Sequence, residues 1–124
     1  MNWLYPHWMS RQYFSYNFRI GKLPIDQHEL LALVAPRTIL INAALSYRWA
    51  GFRSSAKAML AAEPVYELYG LDGVIGTGII TDEDEISQNT IGGMTQYRRK
   101  SGHSLDPDYW QVILDVAGVA FDRR

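Results

Sequence analysis

A chain of 124 residues, 48% hydrophobic and 20% charged, has the size and balance of one ordinary globular domain rather than of a disordered tail. Its formal net charge of -1 gives no electrostatic basis for gripping nucleic acid or an anionic membrane. The lack of cysteine excludes disulfides, thiolate catalysis and zinc–thiolate centres, and no apolar run is long enough to span a bilayer.

The start, Met1-Asn2-Trp3-Leu4-Tyr5-Pro6-His7-Trp8, has neither the basic head nor the apolar centre of a secretion signal. From Trp3 to Phe18 the rings Trp3, Tyr5, Trp8, Tyr13, Phe14, Tyr16 and Phe18 predict a loop-rich segment anchored by aromatics. Arg11, Arg19 and Lys22 interleave with them, a pattern that also suits stacking on bases or sugars. Rings packed under a surface loop are the plainer reading.

Asp26 is an N-cap candidate for a helix running to Val34, with Leu30, Leu31, Leu33 and Val34 on a buried face. Ala35-Pro36 ends it, since proline disfavours helical backbone in its predecessor. The apolar run Thr38 to Ala43 suits a strand buried on both faces of a parallel sheet. After a loop from Leu45 to Phe52, residues Arg53 to Ala62 predict a helix stopped by Pro64, and Val65 to Tyr69 a further helical turn.

Leu71 to Asn89 reads as a long loop of glycines and acids, and Ile91 to Arg98 as a second, apolar strand. The last helix has Asp106 as cap, Pro107 at its first position and Asp108 in its first turn. Its apolar stripe is Trp110, Ile113, Leu114, Ala117 and Phe121. No repeat or linker divides residues 1–124. Helix, strand, helix, loop, strand, helix is the order of an α/β fold with parallel strands. Two strands leave open sheet edges, which a second chain would be suited to cover.

Several chemical motifs fail on their own terms. His28-Glu29-Leu30-Leu31-Ala32 has alanine where a zinc-protease helix needs its second histidine. Asp82-Glu83-Asp84-Glu85 lacks the glycine and closing glutamate of a calcium loop. Gly70, Gly73, Gly76 and Gly78 do not link a strand to a helix as a phosphate cradle requires. No metal and no cofactor is therefore expected. His103 has a more specific setting, on the loop between the last strand and the last helix. An α/β-hydrolase places its triad histidine on a late loop of this kind. Local pattern leaves two readings open, a catalytic base or an ordinary loop histidine.

The block Lys22-Leu23-Pro24-Ile25-Asp26-Gln27-His28-Glu29-Leu30-Leu31-Ala32-Leu33-Val34-Ala35-Pro36-Arg37 resembles a segment of the glucuronoyl esterases, carbohydrate esterase family 15. Pro6-His7-Trp8, Arg48-Trp49-Ala50, Ala61-Ala62-Glu63-Pro64-Val65-Tyr66 and Gly102-His103-Ser104-Leu105 are similar to that family's pattern in the same order. The resemblance implies the C-terminal part of an α/β-hydrolase catalytic domain, a fragment of a three-layer sandwich. It implies cleavage of 4-O-methyl-glucuronoyl esters between xylan and lignin, with glucuronoxylan-type ester as the partner. By resemblance His103 matches the triad histidine and Trp49 a tryptophan bordering the glucuronoyl ring, although Trp49 also suits plain packing.

Two departures qualify that expectation. No Gly-x-Ser-x-Gly occurs, and the resemblance puts the nucleophilic serine, with its arginine and lysine neighbours, before Met1. Tyr47 and the pair Gly51-Phe52 stand where many bacterial members carry an aspartate and an Asp-Pro pair, so the acid partner of His103 would come from an earlier strand. Since triad members work as a unit, the chain by itself is expected to be inactive by this route. A non-catalytic carbohydrate-binding remnant or an inactive gene fragment is the alternative. Family members are usually exported, and the chain carries no secretion signal of its own.

Overall fold

The computed structural model describes residues 4–44, 46–47, 51–74, 93–99, 102 and 104–122. Short 3-10 turns at Pro6–Trp8, Arg11–Tyr16 and Ile20–Lys22 lead into five regular elements among the described residues. These are α1 (Gln27–Ala32), β1 (Ile39–Ala44), α2 (Phe52–Glu67), β2 (Met94–Arg99) and α3 (Pro107–Asp122).

In the aromatic N-terminal segment Tyr5, Tyr13, Phe14 and Tyr16 are half-buried while Trp8 and Phe18 are exposed, so none of the described rings is fully buried. Tyr5 and Trp8 stack on each other, with ring centroids 4.3 Å apart. α1 begins at a capping box. The Asp26 carboxylate accepts from the Gln27 amide at 2.6 Å, and Glu29 Oε2 accepts from the Asp26 amide at 3.0 Å. That reciprocity satisfies donors which a helix start leaves unpaired. The helix stops at Ala32, earlier than Val34, and turns carry the chain through Leu33 to Pro36. Only one side of so short a helix meets α2, so Leu31 and Ala32 pack on the core while Leu30 and Leu33 are exposed.

β1 and β2 pair in parallel, from Ile39 opposite Met94 to Ala44 opposite Arg99, and make a two-stranded sheet among the described residues. Residues 72–74 run along the other edge of β2. The Gly93 amide donates to the Asp72 carbonyl, the Met94 amide to the Gly73 carbonyl, and Val74 bridges Met94. β2 is thus flanked on both sides at Met94. The expectation of two apolar strands fails here, because buried β2 carries Thr95, Gln96 and Arg98.

Alternation divides the sheet into two faces. Ile39, Ile41, Met94 and Gln96 point to α2, whose Ala56, Met59, Ala62 and Tyr66 recur at helical spacing and are buried. Tyr97 points the other way and meets Tyr109 of α3, their ring centroids 6.3 Å apart. The result is an α/β arrangement of helix, parallel sheet and helix, as the element order predicts.

Pro64 lies inside α2 rather than after it. An interior proline loses a helical hydrogen bond at a cost of about 3 kcal/mol relative to alanine. What carries the helix past it is Tyr66, which is 0% exposed and whose hydroxyl donates to the Arg37 carbonyl at 2.8 Å. Full burial of an aromatic ring is worth about 2–3 kcal/mol, enough to offset the break together with that bond. Gly93 sits against the same ring, where a Cβ would fall 2.8 Å from Tyr66 Cε1.

α3 follows its predicted cap, with Asp106 Oδ1 accepting from the Tyr109 amide at 3.1 Å. Its inward face differs from the expected stripe. Val116 is buried, while Trp110, Leu114 and Phe121 are exposed. The helix is apolar around most of its circumference, so periodicity alone does not choose the face; the Tyr97–Tyr109 contact does.

Candidate active site

Parallel pairing sends the chain out of β1 and β2 at the same end, the C-terminal edge of the sheet. In open α/β sheets ligands bind outside this edge. After β1 the Tyr47 amide donates to the Ala44 carbonyl at 3.0 Å, which turns the chain immediately. Gly51 then takes left-handed backbone, φ 57°, and its carbonyl accepts from the Ser55 amide to open α2. After β2 the Ser104 amide donates to the Gly102 carbonyl at 3.0 Å, and Asp106 starts α3. Trp49 belongs to the first of these connections and His103 to the second. Both lie outside the described residues. Asp106 serves as the helix cap expected of it, and Tyr47 is half-buried beside the edge.

The described geometry adds residues that sequence reasoning missed. Gln96 Nε2 donates to the Phe52 carbonyl at 2.9 Å, and Arg98 Nε donates to Gln96 Oε1 at 3.0 Å. The Arg98 guanidinium stands 5.9 Å from the centre of the Phe52 ring, and that of Arg53 stands 5.7 Å from it. Gln96 and Arg98 are 4% and 6% exposed, so this is an interior polar network. Buried polar groups of this kind are costly unless paired, and here each pairs with the other or with the first residue of α2. On the opposite face, by contrast, the buried oxygens Asn42 Oδ1 and Thr95 Oγ1 have no hydrogen-bond partner among the described residues. The only signal of the network in the sequence is the placement of Gln96 and Arg98 two apart in a strand.

Among the described residues no group of histidine, aspartate and glutamate could hold a metal ion. His28, of the failed zinc motif, stands 3.8 Å from the Asp26 carboxylate on the surface. Among the described residues no helix is long and apolar enough to cross a membrane. Burial pushes the Tyr66 phenol above its ordinary pKa, an effect that the Arg37 charge partly opposes.

The family described as "Glucuronyl esterase, fungi" matches residues 3–70, more than half of the chain. The chain belongs to the glucuronoyl esterases. A "Carbohydrate esterase MZ0003" from an unknown prokaryotic organism is 33% identical over 117 residues, which are 94% of this chain and 26% of that protein. The "4-O-methyl-glucuronoyl methylesterase 1" of Wolfiporia cocos (strain MD-104) is 39% identical over 64 residues, 52% of this chain and 16% of the relative. Among solved structures, that described as "a promiscuous CE15 esterase from the marine bacterial metagenome" superposes with a TM-score of 0.82 at 30% identity, covering 96% of this chain and 29% of the other. This glucuronoyl esterase chain therefore spans about a quarter of its prokaryotic relative. The parallel strands and helices among the described residues, together with this match to a carbohydrate esterase family 15 structure, bear out the α/β fold class.

Proposed function

We propose that residues 1–124 form the C-terminal portion of a single α/β-hydrolase domain that cleaves 4-O-methyl-glucuronoyl esters. His103 is the catalytic base of this reading and Trp49 a wall of the uronate site. The observation that carries it is the parallel register of β1 and β2, because the connections bearing Trp49 and His103 start from one sheet edge. The activity for which the Wolfiporia cocos relative is named supplies the substrate class.

The chemistry asks two things of these residues. As a serine hydroxyl attacks the ester carbonyl, His103 takes its proton and returns one to the departing alcohol, leaving an acyl-enzyme. It then takes a proton from water, which attacks the acyl carbon, and returns one to the serine as the uronic acid leaves. Trp49 offers an apolar face to the sugar ring and an indole N–H to a hydroxyl. The chain has no Gly-x-Ser-x-Gly, so the serine of this scheme comes from polypeptide outside residues 1–124.

A chimera tests the reading: residues 1–124 replace the matched segment of the marine esterase. Hydrolysis of the methyl ester of 4-O-methyl-glucuronic acid is expected, with KM raised by Trp49→Ala. A folded chimera without hydrolysis refutes it. So does glucuronoxylan retention by the 124-residue chain that is lost with Trp49→Ala, if the chimera remains inactive. That outcome marks a carbohydrate-binding module.

A further inference from the structure

The polar network behind the sheet edge has a position that packing alone does not explain. An apolar side chain at position 96 would fill the interior without the cost of desolvating an amide. The amide is instead held at both ends in one orientation. Arg98 Nε only donates and therefore fixes Oε1, at 3.0 Å, while the Phe52 carbonyl only accepts and therefore fixes Nε2, at 2.9 Å. The Phe52 ring is held as well, with the Arg98 guanidinium 5.9 Å from its centre. Both the backbone and the ring of the first α2 residue are thus attached to β2. Phe52 directly follows the left-handed Gly51 that closes the connection bearing Trp49, and β2 directly precedes the connection bearing His103.

We infer that Gln96 is a positioning residue, locking the Gly51–Phe52 turn to β2 and thereby setting where Trp49 stands relative to the His103 connection. Arg98 acts with it by orienting the amide. The inference rests on the proposed role of Trp49 and adds to it a specificity device that touches no substrate. A site held within a fraction of an ångström by hydrogen-bonded support loses affinity when the support goes, even with every contacting residue present.

The test uses the same chimera and the methyl ester of 4-O-methyl-glucuronic acid. Gln96→Met keeps the volume of the side chain and removes donor and acceptor together. It is expected to raise KM by roughly 5–20-fold, the worth of one lost hydrogen bond and its neighbour, with a smaller change in kcat. Combined with Trp49→Ala it is expected to add nothing, because both act through one wall. Gln96→Glu, which keeps the acceptor for Arg98 and loses the donor to Phe52, is expected to raise KM likewise and serves if the methionine variant does not fold. An unchanged KM in a folded variant overturns the inference. So does a double variant whose losses multiply, which is the mark of a merely structural role. If Trp49→Ala itself leaves KM unchanged, the wall assigned to Trp49 fails and the positioning role falls with it.

Discussion

Replacing Tyr66 by phenylalanine isolates one hydroxyl at the centre of the core. The ring is 0% exposed and packs with Met59, Ala62 and Met94, so Phe fills the same space. What disappears is the 2.8 Å bond to the Arg37 carbonyl, which ties the last turn of α2 to the segment entering β1. An intramolecular hydrogen bond contributes about 1 kcal/mol net, and leaving its partly buried acceptor unpaired brings the expected loss to about 1–1.5 kcal/mol. Unfolding entropy of about 2.1 cal/mol/K per residue, taken over the 124 residues, gives about 4 °C per kcal/mol. Tyr66→Phe should then melt about 4–6 °C below the parent at neutral pH when followed by circular dichroism. The pH dependence has a definite sign. Burial raises the folded-state phenol pKa above its unfolded value, with Arg37 opposing. The hydroxyl's contribution is therefore complete below about pH 10 and declines as pH rises through the folded value. The gap between parent and variant should narrow above pH 10. Equal melting temperatures at pH 7, or a gap that widens above pH 10, would refute this account of Tyr66.

Gly93→Ala should destabilise by about 2–3 kcal/mol or prevent folding, because its Cβ meets the buried Tyr66 ring; a chemical denaturation curve overlaying the parent's contradicts that. Pro64→Ala should restore an interior helical bond and raise the melting temperature, by an amount worth about 1–2 kcal/mol once the greater freedom of the unfolded alanine chain is allowed for. A lower melting temperature would show that proline is required where it stands.

The elements with a local chemical cause could be read from the sequence. Asp26 and Asp106 both cap as side-chain acceptors at helix starts, and the apolar run Thr38 to Ala43 forms the strand Ile39–Ala44, mostly half-buried rather than buried on both faces. Where tertiary contacts overrule local preference, reading failed. Pro64 is a strong stop signal, yet Tyr66 is anchored two residues beyond it. β2 was expected to be apolar, yet it carries Gln96 and Arg98 into the interior, where Phe52, far away in sequence, meets both of them. On α3 the apolar residues outnumber those one face can bury, so the inward side was set by the sheet rather than by the helix. Of the candidate site, family resemblance proposes His103 and Trp49, which lie outside the described residues, whereas the Gln96 network emerges only from the fold. A hydrogen bond spanning 44 residues leaves no trace in local pattern.

The central claim is that this chain supplies the proton-transferring histidine of an esterase site. It is tested most directly by kcat/KM of the marine-esterase chimera carrying His103→Ala, with the methyl ester of 4-O-methyl-glucuronic acid as substrate. A triad that works as a unit predicts a loss of at least about 10⁴-fold, with the melting temperature unchanged. Activity within about tenfold of the parent chimera would contradict it.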